Sequence, residues 1–233
     1  MSERRIAVVT GANRGIGLEV VRQLAGDGFT VILGARDPDR GAAAAERLRS
    51  EGLDVEARRL DVSDRGSVAA FGAALERDHD RLDALVNNAA IHYDTWQTGV
   101  EADLDVVREA LETNLLGAWR TAQICLPLLR RPVSARIVNV SSGAGALTDM
   151  GGGTPAYRVS KTALNALTRV LANELRRDGI LVNAVCPGWV ATDMGGPGGR
   201  PVADGAASVM WAVRIADDGP TGGFFRDGRR IDW

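Results

Sequence analysis

The 233-residue chain has a length and composition that suit one globular domain over residues 1–233, since 45% of its residues are hydrophobic and 25% are charged. The formal charge of −2 gives no hint of a nucleic-acid surface, and the two cysteines and two histidines, His79 and His92, offer no metal-ligand spacing. No stretch approaches the length of a membrane span, and the apolar run at residues 6–9 is too short for a signal peptide, so we expect a cytoplasmic protein that binds neither nucleic acid nor membrane.

Short runs rich in Val and Ile alternate with longer amphipathic segments along the chain. We predict strands at residues 6–9, 29–33, 55–60, 82–86, 136–140, 180–185 and 223–226. We predict helices at residues 15–25, 41–50, 64–77, 104–129 and 157–177. This alternation is typical of βαβ units, so we expect an α/β fold with a doubly wound, mostly parallel seven-stranded sheet and helices on both faces.

Two glycine-rich stretches, at residues 143–155 and 195–201, follow predicted strands. Both therefore belong at the carboxyl edge of the sheet, where ligands bind in open α/β sheets. Because glycine leaves the backbone free to move, we interpret the second stretch as a candidate mobile lid.

The segment TGANRGIG, residues 10–17, lies between the first predicted strand and the first predicted helix. Glycines there permit a tight turn and let the backbone approach a pyrophosphate, which the helix N-terminus stabilises. The spacing is GxxxGxG and not GxGxxG, and glycines at such a turn can be purely structural, but the strand–turn–helix context favours a dinucleotide site. The candidate cofactor residues in this loop are Gly11, Asn13, Arg14, Gly15, Ile16 and Gly17.

The second predicted strand is followed by Arg36, at the place where dinucleotide-binding folds read the adenosine ribose. An acidic residue there bonds the 2′-hydroxyl of NAD, whereas an arginine accommodates the extra phosphate of NADP. Arg14 offers a second cation on the same side, and two converging arginines favour NADP(H) over the alternative of two solvated surface side chains. Asp37, which follows directly, weighs in the opposite direction.

Tyr157 and Lys161 form a YxxxK pair at the start of a predicted helix, so their side chains share one face. An adjacent ammonium favours the phenolate and lowers a tyrosine pKa from its usual value near 10, which suits general acid–base work. Ser141 and Ser142 end the fifth strand and can offer a hydroxyl to a substrate oxygen, or they can be strand-end turn residues. Although YxxxK pairs also arise by chance, the shared edge with the glycine loop favours a functional site.

Polar and turn residues also close the other predicted strands at this edge. A carboxylate after the third strand can bond the adenine amine, and side-chain amides after the fourth strand can fix backbone near the cofactor. The amide of Asn114, inside an apolar helix, is either a satisfied structural group or part of a relay. These further candidates are Asp61, Val62, Asn87, Asn88, Ala89, Pro187, Gly188 and Thr192.

Together these motifs resemble those of the short-chain dehydrogenase/reductase family over essentially the whole chain. The matching segments are TGANRGIG, LDV, NNA, the asparagine in TNLLG, the serine in NVSS, YRVSK, and PG followed by ATD. Each is weak alone, but all of them in order are specific. The segment CPGWVATDMGG and the ending GPTGGFFRDGRRIDW are similar to the carbonyl-reductase-like branch. The resemblance implies a Rossmann-type domain and an NADP(H)-dependent enzyme that reduces a ketone, aldehyde or quinone to an alcohol.

The resemblance also implies a role for individual residues. Tyr157 would protonate the developing alkoxide, and Ser142 would hold the carbonyl oxygen. Lys161 would bond the nicotinamide ribose and lower the tyrosine pKa, and Asn114 would hold a water that connects Lys161 to solvent. The residues implied to contact the nicotinamide carboxamide are Val190 and Thr192.

The chain departs from the family pattern in two places. Ala90 stands where the family usually has the glycine of NNAG, so the local backbone can differ. Ser142 and Tyr157 are two residues further apart than the commonest spacing, and the extra residues, within 148–154, reshape the substrate mouth. Ser141 remains a rival to Ser142.

In the resembled family, the long helices at residues 104–129 and 157–177 lie on one face of the sheet and pair with their copies across a two-fold axis. The chain lacks the long insertion before the tyrosine that blocks assembly in some carbonyl reductases. We therefore predict a homodimer or homotetramer. The apolar side chains expected at or near that contact are Leu111, Leu115, Trp119, Leu164 and Leu171.

The predicted substrate pocket is apolar, which indicates an apolar or aromatic carbonyl compound. Its candidate residues are Ile91, His92, Trp96, Ser142, Ala144, Leu147, Trp189 and Met194. Two alternatives stay open. A non-catalytic NADP-sensing relative would typically lose the tyrosine or the lysine, and Arg36 argues against an NAD-dependent alcohol dehydrogenase that works in the oxidising direction.

Overall fold

The structure is a computed structural model that describes residues 5–233, and its centre is an eight-stranded sheet of order β3-β2-β1-β4-β5-β6-β7-β8. The strands are Ile6–Thr10 (β1), Thr30–Ala35 (β2), Val55–Arg59 (β3), Ala84–Asn87 (β4), Ala135–Val140 (β5), Ile180–Val185 (β6), Phe224–Arg226 (β7) and Arg229–Arg230 (β8). Neighbours from β3 to β7 pair in parallel, and β8 pairs antiparallel with β7. The predicted doubly wound sheet of seven parallel strands is confirmed, and the short hairpin strand β8 was missed.

Helices cover both faces of the sheet. They are Gly15–Gly26 (α1), Pro38–Ser50 (α2), Arg65–Asp78 (α3), Leu104–Leu111 (α4), Ala118–Leu129 (α5), Pro155–Glu174 (α6) and Val202–Arg214 (α7). A π-helical segment, Glu112–Gly117, joins α4 to α5, so the predicted helix over residues 104–129 is interrupted. Across residues 5–233, no helix has both the length and the hydropathy to cross a membrane.

Side chains alternate along β1 between two hydrophobic layers. Ala7 and Val9 pack with α1, α2 and α7, whereas Val8 packs with α3, α5 and α6 on the opposite face. Because both faces are covered, these strands appear in the sequence as continuous apolar runs.

Two helices differ from the sequence prediction. Helix α2 begins at Pro38, three residues before the predicted start, because Asp37 caps its N-terminus and proline suits the first turn. Helix α7 was missed altogether. It is buried along Ala206, Val209 and Met210 against the α1 layer, and it follows a glycine-rich stretch without a side-chain cap at its start.

The structure corrects part of the predicted oligomer contact. Leu164 and Leu171 are only 1% and 9% exposed and pack into the core beneath α6. The solvent-facing apolar side chains of this helix are instead Val159 and Val170, at 52% and 46% exposed. Trp119 on α5 is also exposed, and Leu111 and Leu115 are half-buried.

Candidate active site

The carboxyl ends of the central strands meet at one edge of the sheet, where a cleft of about 570 Å³ opens. Its walls come from the start of α1, the loop after β5, the first turn of α6 and the segment after β6. The residues that line it are Ile16, Tyr93, Ser141, Ser142, Gly143, Ala144, Tyr157, Cys186, Pro187, Gly188, Trp189, Val190, Thr192, Met194, Gly195 and Arg226.

The glycine loop between β1 and α1 is fixed against the end of β4. Gly11 has a φ of 61°, and a Cβ on it would lie 2.8 Å from the Cα of Ala89. The Asn88 amide donates to the carbonyl oxygens of Thr10 and Gly11, both at 3.0 Å. The backbone N–H groups of Asn88 and Ala89 both donate to Thr10 Oγ1. The loop therefore holds its shape without help from a ligand.

The N-terminus of α1 lacks a side-chain cap, whereas the N-termini of α2, α3 and α4 have one. Asp37, Asp64 and Asp103 cap α2, α3 and α4, whereas Arg14 makes no capping hydrogen bond to α1 and no acidic residue lies in the first turn. Uncapped N–H groups at the positive end of a helix fit an anion. The residues present therefore fit the pyrophosphate of a dinucleotide.

The end of β2 carries an exposed cation followed by a carboxylate that caps α2. Arg36 is exposed, while Asp37 Oδ1 is occupied by the backbone N–H groups of Asp39 and Arg40 at 3.0 and 3.1 Å. Arg14 forms an ion pair with Asp193 across the cleft, so its contact with a phosphate requires that pair to open.

The other predicted cofactor residues lie around the same edge. Asp61 Oδ1 accepts hydrogen bonds from the backbone N–H and the hydroxyl of Ser63, at 3.0 and 2.6 Å. Val62 supports the π-helical segment, since a Cβ on Gly117 would lie 2.7 Å from its Cγ2. Asn87 lies deeper, where its amide donates to Asn139 at 2.9 Å.

Tyr157 on the first turn of α6 and Ser142 at the end of β5 both line the cleft, and the serine hydroxyl acts to lower the tyrosine pKa. Ser142 Oγ also accepts the backbone N–H of Ala144 at 3.2 Å. Ser141 Oγ donates to Asn165 Oδ1 at 2.6 Å and is buried. Of the two candidate serines, Ser142 is therefore the one that reaches the tyrosine.

Burial sets the protonation of the YxxxK pair. It raises the pKa of Tyr157 to about 12, and the Ser142 hydrogen bond offsets part of that rise. Lys161 Nζ lies 5.7 Å from the tyrosine ring centroid and donates to the Val140 carbonyl oxygen at 2.8 Å. Burial lowers the pKa of this lysine to about 8. A lowered tyrosine pKa is thus not what the structure shows: burial dominates, and Tyr157 is a protonated phenol at neutral pH.

Asn114 lies in the π-helical segment and ties the loop after β4 to α6. Its Oδ1 accepts the Ile91 backbone N–H at 2.8 Å. Its Nδ2 donates to the Ile91 carbonyl oxygen and to Ser160 Oγ, both at 3.0 Å. Both amide donors are engaged, so the side chain has the contacts of a satisfied structural group.

Asp94, which was not among the predicted site residues, is a fully buried carboxylate beside the tyrosine. It accepts the backbone N–H groups of Ala156 and Tyr157 at 2.9 and 3.0 Å. Thr154, which precedes α6, provides no side-chain cap, so Asp94 supplies the cap from the loop after β4. The adjacent Tyr93 packs edge-on against the Tyr157 ring, with 5.2 Å between centroids. A cap that acts across 62 residues leaves no local sequence signal.

Half of the predicted substrate residues line the cleft. They are Ser142, Ala144, Trp189 and Met194. The other four are not among its lining residues, and the His92 ring instead contacts Glu109 at 2.8 Å. Trp96 and Leu147 are exposed, and Ile91 is held by Asn114.

The glycine-rich segment 195–201 packs closely on residues 189–192. A Cβ on Gly199 would lie 2.5 Å from the carbonyl carbon of Val190. Trp189 Nε1 donates to the Gly195 carbonyl oxygen at 2.7 Å, and Arg200 exchanges backbone hydrogen bonds with the same segment. The glycines in this segment allow its backbone to pack closely on residues 189–192. The prediction of a mobile lid was based instead on the freedom of motion that glycine gives the backbone.

Comparison with known proteins decides the family. Residues 5–200 match the family described as short chain dehydrogenase. The chain belongs to the short-chain dehydrogenase/reductase family. It is therefore an oxidoreductase of that family, and the predicted family and enzyme class are confirmed.

Three similar proteins place this short-chain dehydrogenase/reductase among carbonyl-reductase-like members. Carbonyl reductase [NADPH] 1 of Sus scrofa is 34% identical over an alignment that covers 100% of this chain and 95% of the relative. The NADPH-bound carbonyl reductase from chicken fatty liver has a TM-score of 0.89 at 32% identity, with 99% of both chains covered. Salutaridine reductase from Papaver somniferum has a TM-score of 0.83 at 30% identity, covering 96% of this chain and 100% of that one.

Proposed function

We propose that this short-chain dehydrogenase/reductase uses NADPH to reduce a ketone, aldehyde or quinone to an alcohol. The observation that carries the proposal is that Tyr157, a phenol kept protonated by burial, and Ser142 line the same cleft beside the glycine loop. The full-length similarity to proteins named carbonyl reductase [NADPH] supports the same activity.

Two hydroxyl groups act on the substrate carbonyl. Ser142 and Tyr157 both donate hydrogen bonds to the carbonyl oxygen, which gains negative charge as the carbon is reduced. When bound, the reduced nicotinamide supplies the hydride that the carbonyl carbon accepts. Tyr157 then transfers its proton to the oxygen and regains one from solvent, so the net change is a hydride and a proton added to the carbonyl.

Lys161 supports this step from the next turn of α6. Its ammonium, which predominates below a pH of about 8, binds the ribose hydroxyls and stabilises the tyrosinate after proton transfer. Asn114 holds the adjoining loop in place and, through a water, connects Lys161 to solvent. Both roles are those implied by the family pattern.

Arg36 is the residue we assign to the 2′-phosphate, because Asp37 is committed to the α2 cap. The free N-terminus of α1 holds the pyrophosphate, and Asp61 bonds the adenine amine. Val190 and Thr192, with Pro187 and Gly188 beside them in the wall of the cleft, contact the carboxamide.

The test is absorbance at 340 nm with NADPH or NADH and a panel of aldehydes, ketones and quinones. We expect oxidation of NADPH with apolar carbonyls and much slower oxidation of NADH. NADPH binding with no turnover on any carbonyl would favour a sensor. Faster reduction of NAD⁺ by alcohols would favour a dehydrogenase that works in the oxidising direction.

A further inference from the structure

Arg226, at the end of β7, brings a positive charge into the cleft. It is exposed and lines the cleft together with Ser142 and Tyr157. The other described residues that line the cleft are uncharged, and Trp189 and Met194 give one side of it an apolar surface.

The guanidinium of Arg226 lies beside Gly143, the residue that follows Ser142. Its Nη2 donates to Cys186 Sγ at 3.1 Å, and the backbone N–H of Gly143 donates to the same sulfur at 3.1 Å. A Cβ built on Gly143 would lie 2.8 Å from Arg226 Nη2. Gly143 directly follows Ser142, and Arg226 lines the same cleft as Ser142 and Tyr157. A thiol is a weak acceptor, so most guanidinium donors are available to a ligand.

Neighbouring carboxylates already have other partners. Asp227 pairs with Arg200 at 2.8 and 2.9 Å, and Asp193 pairs with Arg14. Across the β7–β8 hairpin, Arg226 faces Arg229, another cation. Like charges directly opposite in a sheet are destabilising, so this arrangement costs stability unless an anion binds beside it.

We propose that Arg226 binds the carboxylate of the substrate, so that the cleft selects oxo acids with an apolar body. The apolar group then packs on Trp189 and Met194, and the oxo oxygen lies at Ser142 and Tyr157. The oxo carbon accepts a hydride from NADPH and its oxygen a proton from Tyr157, which gives the hydroxy acid and NADP⁺. This inference rests on the proposed carbonyl reduction at the same site.

The test compares a carboxylate with its neutral ester as substrates of the full-length enzyme. Benzoylformate and methyl benzoylformate share the oxo group and the ring and differ in charge. For the wild type we expect a kcat/KM for the acid at least about tenfold above that for the ester, since hydrogen bonds between charged groups are the strong ones. Arg226→Met should abolish this preference through loss of the acid rate, and Arg226→Lys should retain part of it.

Arg229→Met, on the facing strand, is the matched control and should keep the wild-type preference. Equal rates for acid and ester in the wild type would overturn the inference. An equal loss for both substrates in Arg226→Met would also overturn it, because the arginine would then only support the Gly143 loop.

Calorimetric titration of the NADP⁺-loaded enzyme with mandelate and mandelamide separates this inference from the proposed function. If mandelate binds more tightly than mandelamide and this difference depends on Arg226, the anion site is supported. If the same enzyme turns over no carbonyl compound, the proposed reductase activity is contradicted. Turnover of neutral carbonyls without a preference for mandelate contradicts the anion site alone.

Discussion

At the residue scale, the protonation of Tyr157 depends more on burial than on the nearby Lys161. The YxxxK spacing predicted that Lys161 would lower the tyrosine pKa, but spacing carries no information on desolvation. In the folded chain, desolvation raises the tyrosine pKa to about 12 and lowers the lysine pKa to about 8. A phenol that stays protonated suits reduction, because the proton donor is present throughout the neutral range.

The buried Lys161 makes stability depend on pH in a defined direction. Its pKa is about 8 in the folded chain and about 10.5 in the unfolded chain, so between these values the unfolded chain binds more protons and stability rises with pH. The raised pKa of Tyr157 acts in the opposite direction only above a pH of about 10. We therefore expect Lys161→Met to be more stable than wild type at pH 7, with a difference that shrinks by about 2 kcal/mol at pH 9.5. Urea denaturation of both proteins measures this, and a constant difference would show an ordinary lysine pKa.

Arg36 tests the cofactor assignment. Arg36→Asp replaces a charge-assisted contact with repulsion, and such contacts contribute roughly 1.5–3 kcal/mol, so NADPH should bind at least about tenfold more weakly. NADH should bind equally well or better. Arg47→Asp, an exposed change in the last turn of α2, is the charge-matched control and should alter neither affinity. Equal losses for both cofactors in Arg36→Asp would mean that Arg36 supports the fold and reads no phosphate.

At the scale of elements, the sequence predicted features that depend on local residue patterns and missed features that depend on tertiary contacts. The strand from residues 180 to 185 and the glycine loop follow from apolar runs and turn residues, and both stand where predicted. Helix α7, which has no side-chain cap at its start and follows a glycine-rich stretch, was missed. Asp94 was missed because its partners, at the start of α6, are distant in sequence.

Asp94 should act as a positioning residue for the tyrosine. Asp94→Asn keeps the shape but removes the charge and one of two acceptors at the α6 N-terminus, which should cost about 1–2 kcal/mol of unfolding free energy. Because Tyr157 lies on that first turn, kcat should fall several-fold while the KM for NADPH stays constant.

The matched control is Asp103→Asn, which removes a comparable cap from α4 away from the cleft. It should cost similar stability and leave kcat unchanged. Equal effects of the two variants on kcat would show that Asp94 serves only stability.

At the scale of the whole molecule, the sheet and its two helical layers were predictable because period and order fix a parallel α/β fold. The oligomer contact was harder to predict, since both Leu164 and the exposed Val159 are apolar residues on one helix. Which face of α6 meets the core depends on how the helix rotates against the sheet. The structure places Leu164 in the core.

We propose that the exposed apolar stripe on α6, Val159 and Val170 together with Trp119 on α5, is the contact of a homodimer or homotetramer. Light scattering at micromolar concentration should give at least twice the chain mass of 24.7 kDa. The double variant Val159→Glu/Val170→Glu should be a folded monomer, whereas Val133→Glu, an exposed control away from α6, should assemble normally. A monomeric wild type would refute this assembly.

The central claim, that Tyr157 donates the proton in carbonyl reduction, is tested most directly by the kcat of Tyr157→Phe. The change removes one hydroxyl at the cleft, so the fold and NADPH affinity should survive, as circular dichroism and fluorescence titration can verify. General acid catalysis is worth about 10²–10⁴ in rate, so kcat on a good carbonyl substrate should fall by at least about a hundredfold. Near-normal turnover of that substrate by Tyr157→Phe would contradict the mechanism.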